Sequence, residues 1–298
     1  MEDLSLRNKL NIGDTTFGVE IEFDEVNLEN VKRAIEEDRQ YKLDFGFDYD
    51  NWIVSTDNSI TRGTILGMVG GEAISPILRD KSESYQSIED VCDIIKTLGG
   101  ETSDLTAGHI HIGANIIENN PRYLLNLIKL WIAYEDIIYK FGYNGSKPRR
   151  VITTYAVPLY MYMHHLNRLE KGTSMIDILE FIGNDRNYGI NFKNLKNSCK
   201  SNGKYLNTIE VRCPNGTLDP IVWQNNINFF VKLFNYAKND NYDTKLINER
   251  INLSNYPRRI DDAPTVFGIK NISKAEELSD LIFTDDLDKE YFIKQYKR

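Results

Sequence analysis

Cysteine is scarce in this chain: Cys92, Cys199 and Cys213 among 298 residues. That number is too small, and odd, for a disulfide framework, so a reducing compartment is expected. No stretch reaches the roughly 18–20 uninterrupted apolar residues of a membrane span. The opening MEDLSLRNKL lacks the basic-then-apolar order of a secretory signal. A cytoplasmic protein without membrane association is therefore the expectation. Positive charge is also short, 36 Lys+Arg against 44 Asp+Glu for a formal net charge of −8. A generic phosphate-backbone binder needs clustered Lys and Arg, so no nucleic-acid partner is expected. With 41% hydrophobic and 27% charged residues, disordered and collagen-like classes are excluded, and there is apolar material for a sizeable core.

The acidic excess is local. Residues 1–100 hold 10 Lys/Arg and 21 Asp/Glu, whereas 101–236 hold 15 and 11. No repeat and no Pro/Gly/Ser-rich linker divides the chain. We read residues 1–238 as one domain and 239–298 as a charged, Tyr-rich extension packed on it, to which we give no catalytic role. Strand-like stretches, β-branched or aromatic-rich, fall at Thr16–Phe23, Trp52–Thr56, Glu72–Ile77, His109–Ala114, Tyr188–Phe192 and Thr208–Cys213. Helices are expected from Ser87 to Gly99-Gly100 by a capping box, over Arg122–Phe141, from Thr173 to Gly183, and over Ile221–Ala237. Strands interrupted by irregular helical insertions favour an α+β fold, with helices on one face of a sheet.

Three short runs carry chemistry. Phe-Gly-Val-Glu20-Ile-Glu22-Phe spaces two carboxylates at i and i+2, which on a strand points both to one face. Carboxylates so close repel unless a cation sits between them. Ala-Gly-His109-Ile-His111-Ile-Gly repeats the spacing with two of the four histidines, and its flanking Gly108 and Gly113 would permit close approach of a ligand. Thr-Ile-Glu210-Val-Arg212-Cys sets a carboxylate beside a guanidinium, an arrangement that serves equally as an ion pair or as a metal ligand next to a phosphate-binding Arg. Glu72 begins another strand-like run, and Asp57 lies in a turn-prone Ser-Thr-Asp-Asn-Ser loop. Oxygen donors with one or two imidazoles suit Mg²⁺ or Mn²⁺ better than zinc, since no Cys cluster is present. Arg149 and Arg150 precede a Tyr-rich stretch and could hold an anionic substrate. The His164-His165 pair reads as helix surface, because adjacent helical residues do not share one ion easily.

The ordered set FGVEIEF, STDNSI, GGEAISPIL, AGHIHIG, RNYGINF and TIEVRCPNGTLD resembles the amidoligase family, relatives of glutamine synthetase and of glutamate–cysteine ligases. The resemblance implies an antiparallel sheet forming an open half-barrel, with helices on its outer face and ATP and metal ions on its concave face. It implies Glu20, Glu22, Glu72, His109 and Glu210 as metal ligands, His111 and Arg212 as phosphate contacts, and Arg186 as a further nucleotide contact. Ser75, Tyr188 and Asn191 would lie at the substrate, and Asp57 would be an ammonium site or base. The family's DGSI-like loop reads DNSI here, with Asn58 in place of Gly. The implied reaction is ATP-dependent ligation of a small-molecule or peptide carboxylate to an amine through an acyl phosphate. A metal-dependent hydrolase and an inactive nucleotide- or peptide-binding module of the same fold are the alternative readings.

Overall fold

Alternation of apolar and polar residues along short β-branched segments builds the centre of the molecule. The computed structural model describes residues 4–44, 51–57, 59–60, 70–161, 166–172, 174–183, 186–201, 206–253 and 256–298. Asn58, His164, His165 and Thr173 lie outside the described residues. All six expected strands are present: β1 (Phe17–Phe23), β2 (Ile53–Thr56), β3 (Gly71–Ile74), β4 (Gly108–Gly113), β5 (Ile190–Asn191) and β6 (Thr208–Val211). They form one antiparallel sheet in the order β2-β3-β1-β4-β6-β5, open at β2 and β5. The fold is thus α+β, as expected. β3 stops before Pro76, which has no N–H to give a ladder.

The register sorts the residues by face. Rungs Val54–Ala73–Ile21, Val19–Ile110–Val211 and Ile112–Ile209 lie on the apolar side. All of these but Val54 are at most 1% exposed. They belong to one core with Val91 and Ile95 of helix α2, Trp131 of α3, Phe141 of α4 and Trp223, Ile227 and Phe230 of α9. Here α1 is Leu28–Asp44, α2 Ser82–Thr97, α3 Pro121–Ala133, α4 Glu135–Gly142, α5 Ile152–Tyr155, α6 Leu166–Leu169, α7 Met175–Ile182, α8 Lys193–Lys200 and α9 Pro220–Tyr236. Gly108 faces this core. A Cβ there would stand 2.8 Å from the Trp223 ring, so its glycine serves internal packing rather than approach of a ligand.

Two helix boundaries differ from the sequence pattern. α2 begins at Ser82, because nothing in Ser-Glu-Ser-Tyr-Gln breaks a helix and Tyr85 is buried against Phe17. Ser87 is therefore mid-helix, where its hydroxyl accepts from Trp52 Nε1 at 2.7 Å. The single helix expected over Arg122–Phe141 breaks at Tyr134, whose φ −121° and ψ 21° leave the helical region. The break turns Glu135 inward. Its fully buried carboxylate accepts from Trp131 Nε1 (2.8 Å), Leu159 N (2.6 Å) and Tyr160 N (2.7 Å). Burial pushes this carboxyl up to about 8, with the three N–H donors opposing the rise. Because the folded value exceeds the ordinary 4.5, its contribution to stability is present below about 4.5 and is lost as pH rises through about 8. Glu135→Gln should abolish that dependence. It should also cost about 1–3 kcal/mol, because an amide N–H would face the Tyr160 N–H; denaturant titration of both proteins from pH 5 to 9 measures this.

Residues beyond Asn239 are mostly helical: α10 (Thr244–Leu253), α11 (Ala263–Phe267), α12 (Ile272–Ile282) and α13 (Asp286–Lys297). α10 packs on α3, α11 on α4, α12 on α9, and α13 on both α9 and α4. The N-terminal segment closes over them. Arg7 pairs with Asp288 at 2.5 Å and stacks over the Tyr291 ring, and the Tyr291 hydroxyl bonds Ser5 through both its N–H and its carbonyl.

Candidate functional site

The opposite face of the sheet is polar. Strand pairing places Glu72 between Glu22 and Ser55, Glu20 opposite His109, and Glu210 between His111 and Asn191. Residues directly opposite in an antiparallel pair share a face, so all three dipeptide-spaced pairs converge on one surface. The side chains meet there. Glu20 Oε2 lies 2.8 Å from His109 Nδ1, and its Oε1 2.8 Å from His111 Nε2. Glu210 binds the Arg212 guanidinium through Oε1 and accepts from Asn191 Nδ2 through Oε2 at 2.6 Å. Glu22 Oε2 accepts from the Ala107 N–H at 2.6 Å, and Glu72 accepts from the Ser55 hydroxyl at 2.9 Å.

The electrostatics follow from this crowding. Burial alone would raise Glu20, but hydrogen bonds from His109 and His111 hold its carboxylate well below the usual range. Burial opposes protonation of His111, yet Glu20 and Glu210 hold it above its ordinary value. Glu72 is pushed up by burial and by the Glu20 charge, with the Ser55 hydroxyl opposing. A cation would balance the negative charge of such a cluster.

One set of three donors could hold a divalent ion, and a second, smaller set of two residues lies beside it. Ligand atoms of Glu20, His111 and Glu210 all lie within 4.8 Å of one another. The second set centres on His109, which is 4% exposed. With Nδ1–H directed at Glu20, its Nε2 is buried without a hydrogen-bond partner and stands 3.5 Å from Glu22 Oε1. A lone pair facing a carboxylate is unfavourable in itself, and a cation between the two atoms would remove the conflict. Both sets are oxygen donors with one imidazole, suited to Mg²⁺ or Mn²⁺. The grouping of His111 with Glu20 and Glu210 differs from the resemblance, which assigns metal to His109 and phosphate to His111.

The remaining expected residues lie at varied depths. Asp57 is half-buried, with Oδ1 accepting from Ser59 N–H at 2.7 Å. The Ser75 hydroxyl is engaged twice, accepting from Val19 N–H and donating to the Pro76 carbonyl, both at 2.8 Å. Tyr188 is half-buried beside β5, whereas Arg186 and Arg150 are exposed. Arg149 is buried, with Nη2 donating to the Arg212 carbonyl. Sequence reasoning missed Ser55, because Ile53, which shares its face, is apolar and the segment Ile53-Val54-Ser55 does not alternate. It also missed the Ala107 N–H and the Tyr155 carbonyl, the latter accepting from Arg212 Nε at 3.1 Å, because backbone groups leave no mark in side-chain patterns.

Among the described residues no helix is long and apolar enough to cross a membrane. Comparison with curated proteins finds no match. A family model described as "putative amidoligase enzyme" matches residues 13–234, which run from the approach to β1 through β6 and into α9 and so include every residue of the polar face. The chain belongs to this amidoligase family.

Proposed function

We propose that this protein is an ATP- and Mg²⁺-dependent carboxylate–amine ligase, acting in the cytoplasm on small-molecule or peptide substrates through an acyl phosphate. Supporting this reading is one observation above all: strand register gathers Glu20, Glu22, Glu72, His109, His111 and Glu210 on one face of a single sheet in a member of the amidoligase family. The sheet would be the floor of a glutamine synthetase-like open half-barrel, with ATP on the polar face. Glu20, His111 and Glu210 would hold one cation, and His109 with Glu22 a second, with Glu72 at its edge. When bound, the cations supply positive charge against the phosphoryl oxygens.

In the first step an oxygen of the acid substrate bonds to the γ-phosphorus while the bond from that phosphorus to the ADP oxygen breaks. Acyl phosphate and ADP result. The amine nitrogen then bonds to the acyl carbon, phosphate leaves with the electron pair of the C–O bond, and the nitrogen gives up a proton. The protein's work is placement and charge stabilisation. Arg212 would lie against the γ-phosphate, released in part from Glu210, with Arg186 as a further nucleotide contact. Asp57, its Oδ1 fixed by the Ser59 N–H, would take the proton or hold the ammonium group; Ser75, Tyr188, Asn191 and Arg150 would border the substrates. Phosphate release from ATP and Mg²⁺, measured across mixtures of acids and amines, should require one of each and stop on chelation by EDTA. Release that needs neither acid nor amine would instead mark a hydrolase.

A further inference from the structure

Arg212 stands just beyond β6 and is held from three directions. Its backbone N–H donates to the Gly189 carbonyl at 2.8 Å, and its Nε–H to the Tyr155 carbonyl at 3.1 Å. Its own carbonyl accepts from Arg149 Nη2 at 2.8 Å. Arg149 lies in the loop before α5, where its carbonyl accepts from Ile152 N–H and the next residue's N–H donates to the Asp104 carbonyl at 2.8 Å. It is 3% exposed, its Nε is buried without a hydrogen-bond partner, and it makes no ion pair among the described residues. Burial disfavours its charge, the Glu22 carboxylate favours it, and the neighbouring Arg212 opposes it. A guanidinium buried on one neutral acceptor is costly, and a neutral donor could have held the same carbonyl. The one carboxylate that favours it, that of Glu22, belongs to the polar face.

We propose that Arg149 is a positioning residue, which fixes the Arg212 backbone and so aims the Arg212 guanidinium at the terminal phosphate of ATP. This rests on the ligase reading above. The physical reason is that phosphoryl transfer depends on placement: a displacement of about 1 Å in such a group can cost on the order of 10²-fold in rate. Arg149 supplies that constraint from within the core, out of reach of solvent.

Nucleotide discrimination tests it without knowledge of the acid or amine. Binding of Mg²⁺-ATP and Mg²⁺-ADP is measured by calorimetry for wild type, Arg149→Met, Arg149→Lys, Arg212→Met and the double Met variant. Wild type should prefer ATP by about tenfold or more, the size of a charge-assisted contact to the γ-phosphate. Arg149→Met should erase most of that preference and leave ADP affinity within about twofold, and in the Arg212→Met background it should add nothing. Arg149→Lys, which can still donate to the carbonyl, should retain a preference within about threefold of wild type. It also decides the matter if the Met variant does not fold. Retention of full ATP preference in Arg149→Met, or equal weakening of ATP and ADP binding in the Lys variant, would overturn the proposal and leave the ligase reading intact. Absence of binding of either nucleotide to wild type would instead overturn the ligase reading.

Discussion

Glu20→Gln is expected to lower the rate of ATP-dependent ligation by about 10³-fold or more, with the fold retained. Both carboxylate oxygens of Glu20 are in use, one toward His109 and one toward His111, so it joins the two groups of donors. An amide offers one oxygen and one NH₂, so it keeps only one of the two accepting oxygens and brings no negative charge to a cation. Loss of a group that stabilises charge in a transition state ordinarily costs 10²–10³-fold, and loss of a ligand shared by two sites costs more. Circular dichroism separates the chemical effect from a structural one, since the Glu20 side chain lies on the polar face with His109 and not on the face of the apolar rungs. Mn²⁺ titration of the variant should show weaker binding than wild type. Ligation and Mn²⁺ affinity within about twofold of wild type would remove Glu20, and with it the metal site, from the mechanism.

The second large effect concerns stability. Truncation after Thr284 removes α13 and should leave a chain that does not fold. Tyr291, Phe292 and Tyr296 of α13 are at most 6% exposed. Phe292 stacks against both Phe141 of α4 and Phe229 of α9. Burying an aromatic side chain of 150–250 Å² contributes about 4–6 kcal/mol at 25 cal/mol per Å², so three contribute about 12–18 kcal/mol. That is comparable with the whole stability of a domain, about 5–15 kcal/mol. The truncation also strands buried polar groups: Arg7 and Asn228 lose Asp288, and Asn225 loses the Tyr291 carbonyl and Gln295. The expected result is aggregation on expression, or a flat thermal melt. A truncated protein with a cooperative melt near that of the full chain would show that α13 is an ornament to a core that closes without it.

The extension is where sequence reading was weakest. Residues 239–298 look charged and weakly periodic because their apolar positions are split among several short helices facing different partners. In α13 the buried set Asp288, Tyr291, Phe292, Gln295 and Tyr296 includes two polar residues, each satisfied by a side chain far away in sequence. Periodicity counts apolar residues and cannot register a buried Gln bonded to Asn225 and Asn226. Helix boundaries failed for a related reason. The break at Tyr134 accompanies Glu135 reaching the 3-10 turn at Leu159 and Tyr160, a contact invisible to local pattern.

The sequence by itself determined which residues of each strand share a face. Side-chain direction in a strand has period two, so FGVEIEF, GHIHIG and TIEVR each divide into an apolar and a polar set without reference to anything else. Their order and kind also sufficed for the family resemblance. Only the tertiary structure decided which set meets which. Register placed Glu20 opposite His109 and His111 opposite Glu210, so that the three-donor cluster contains His111 and leaves His109 Nε2 facing Glu22. It also placed Arg149, which the sequence offered as a contact for an anionic substrate, in a buried hold on Arg212. Strand pairing and loop closure are long-range events, governed by what the rest of the core leaves room for, and they are written in no single segment.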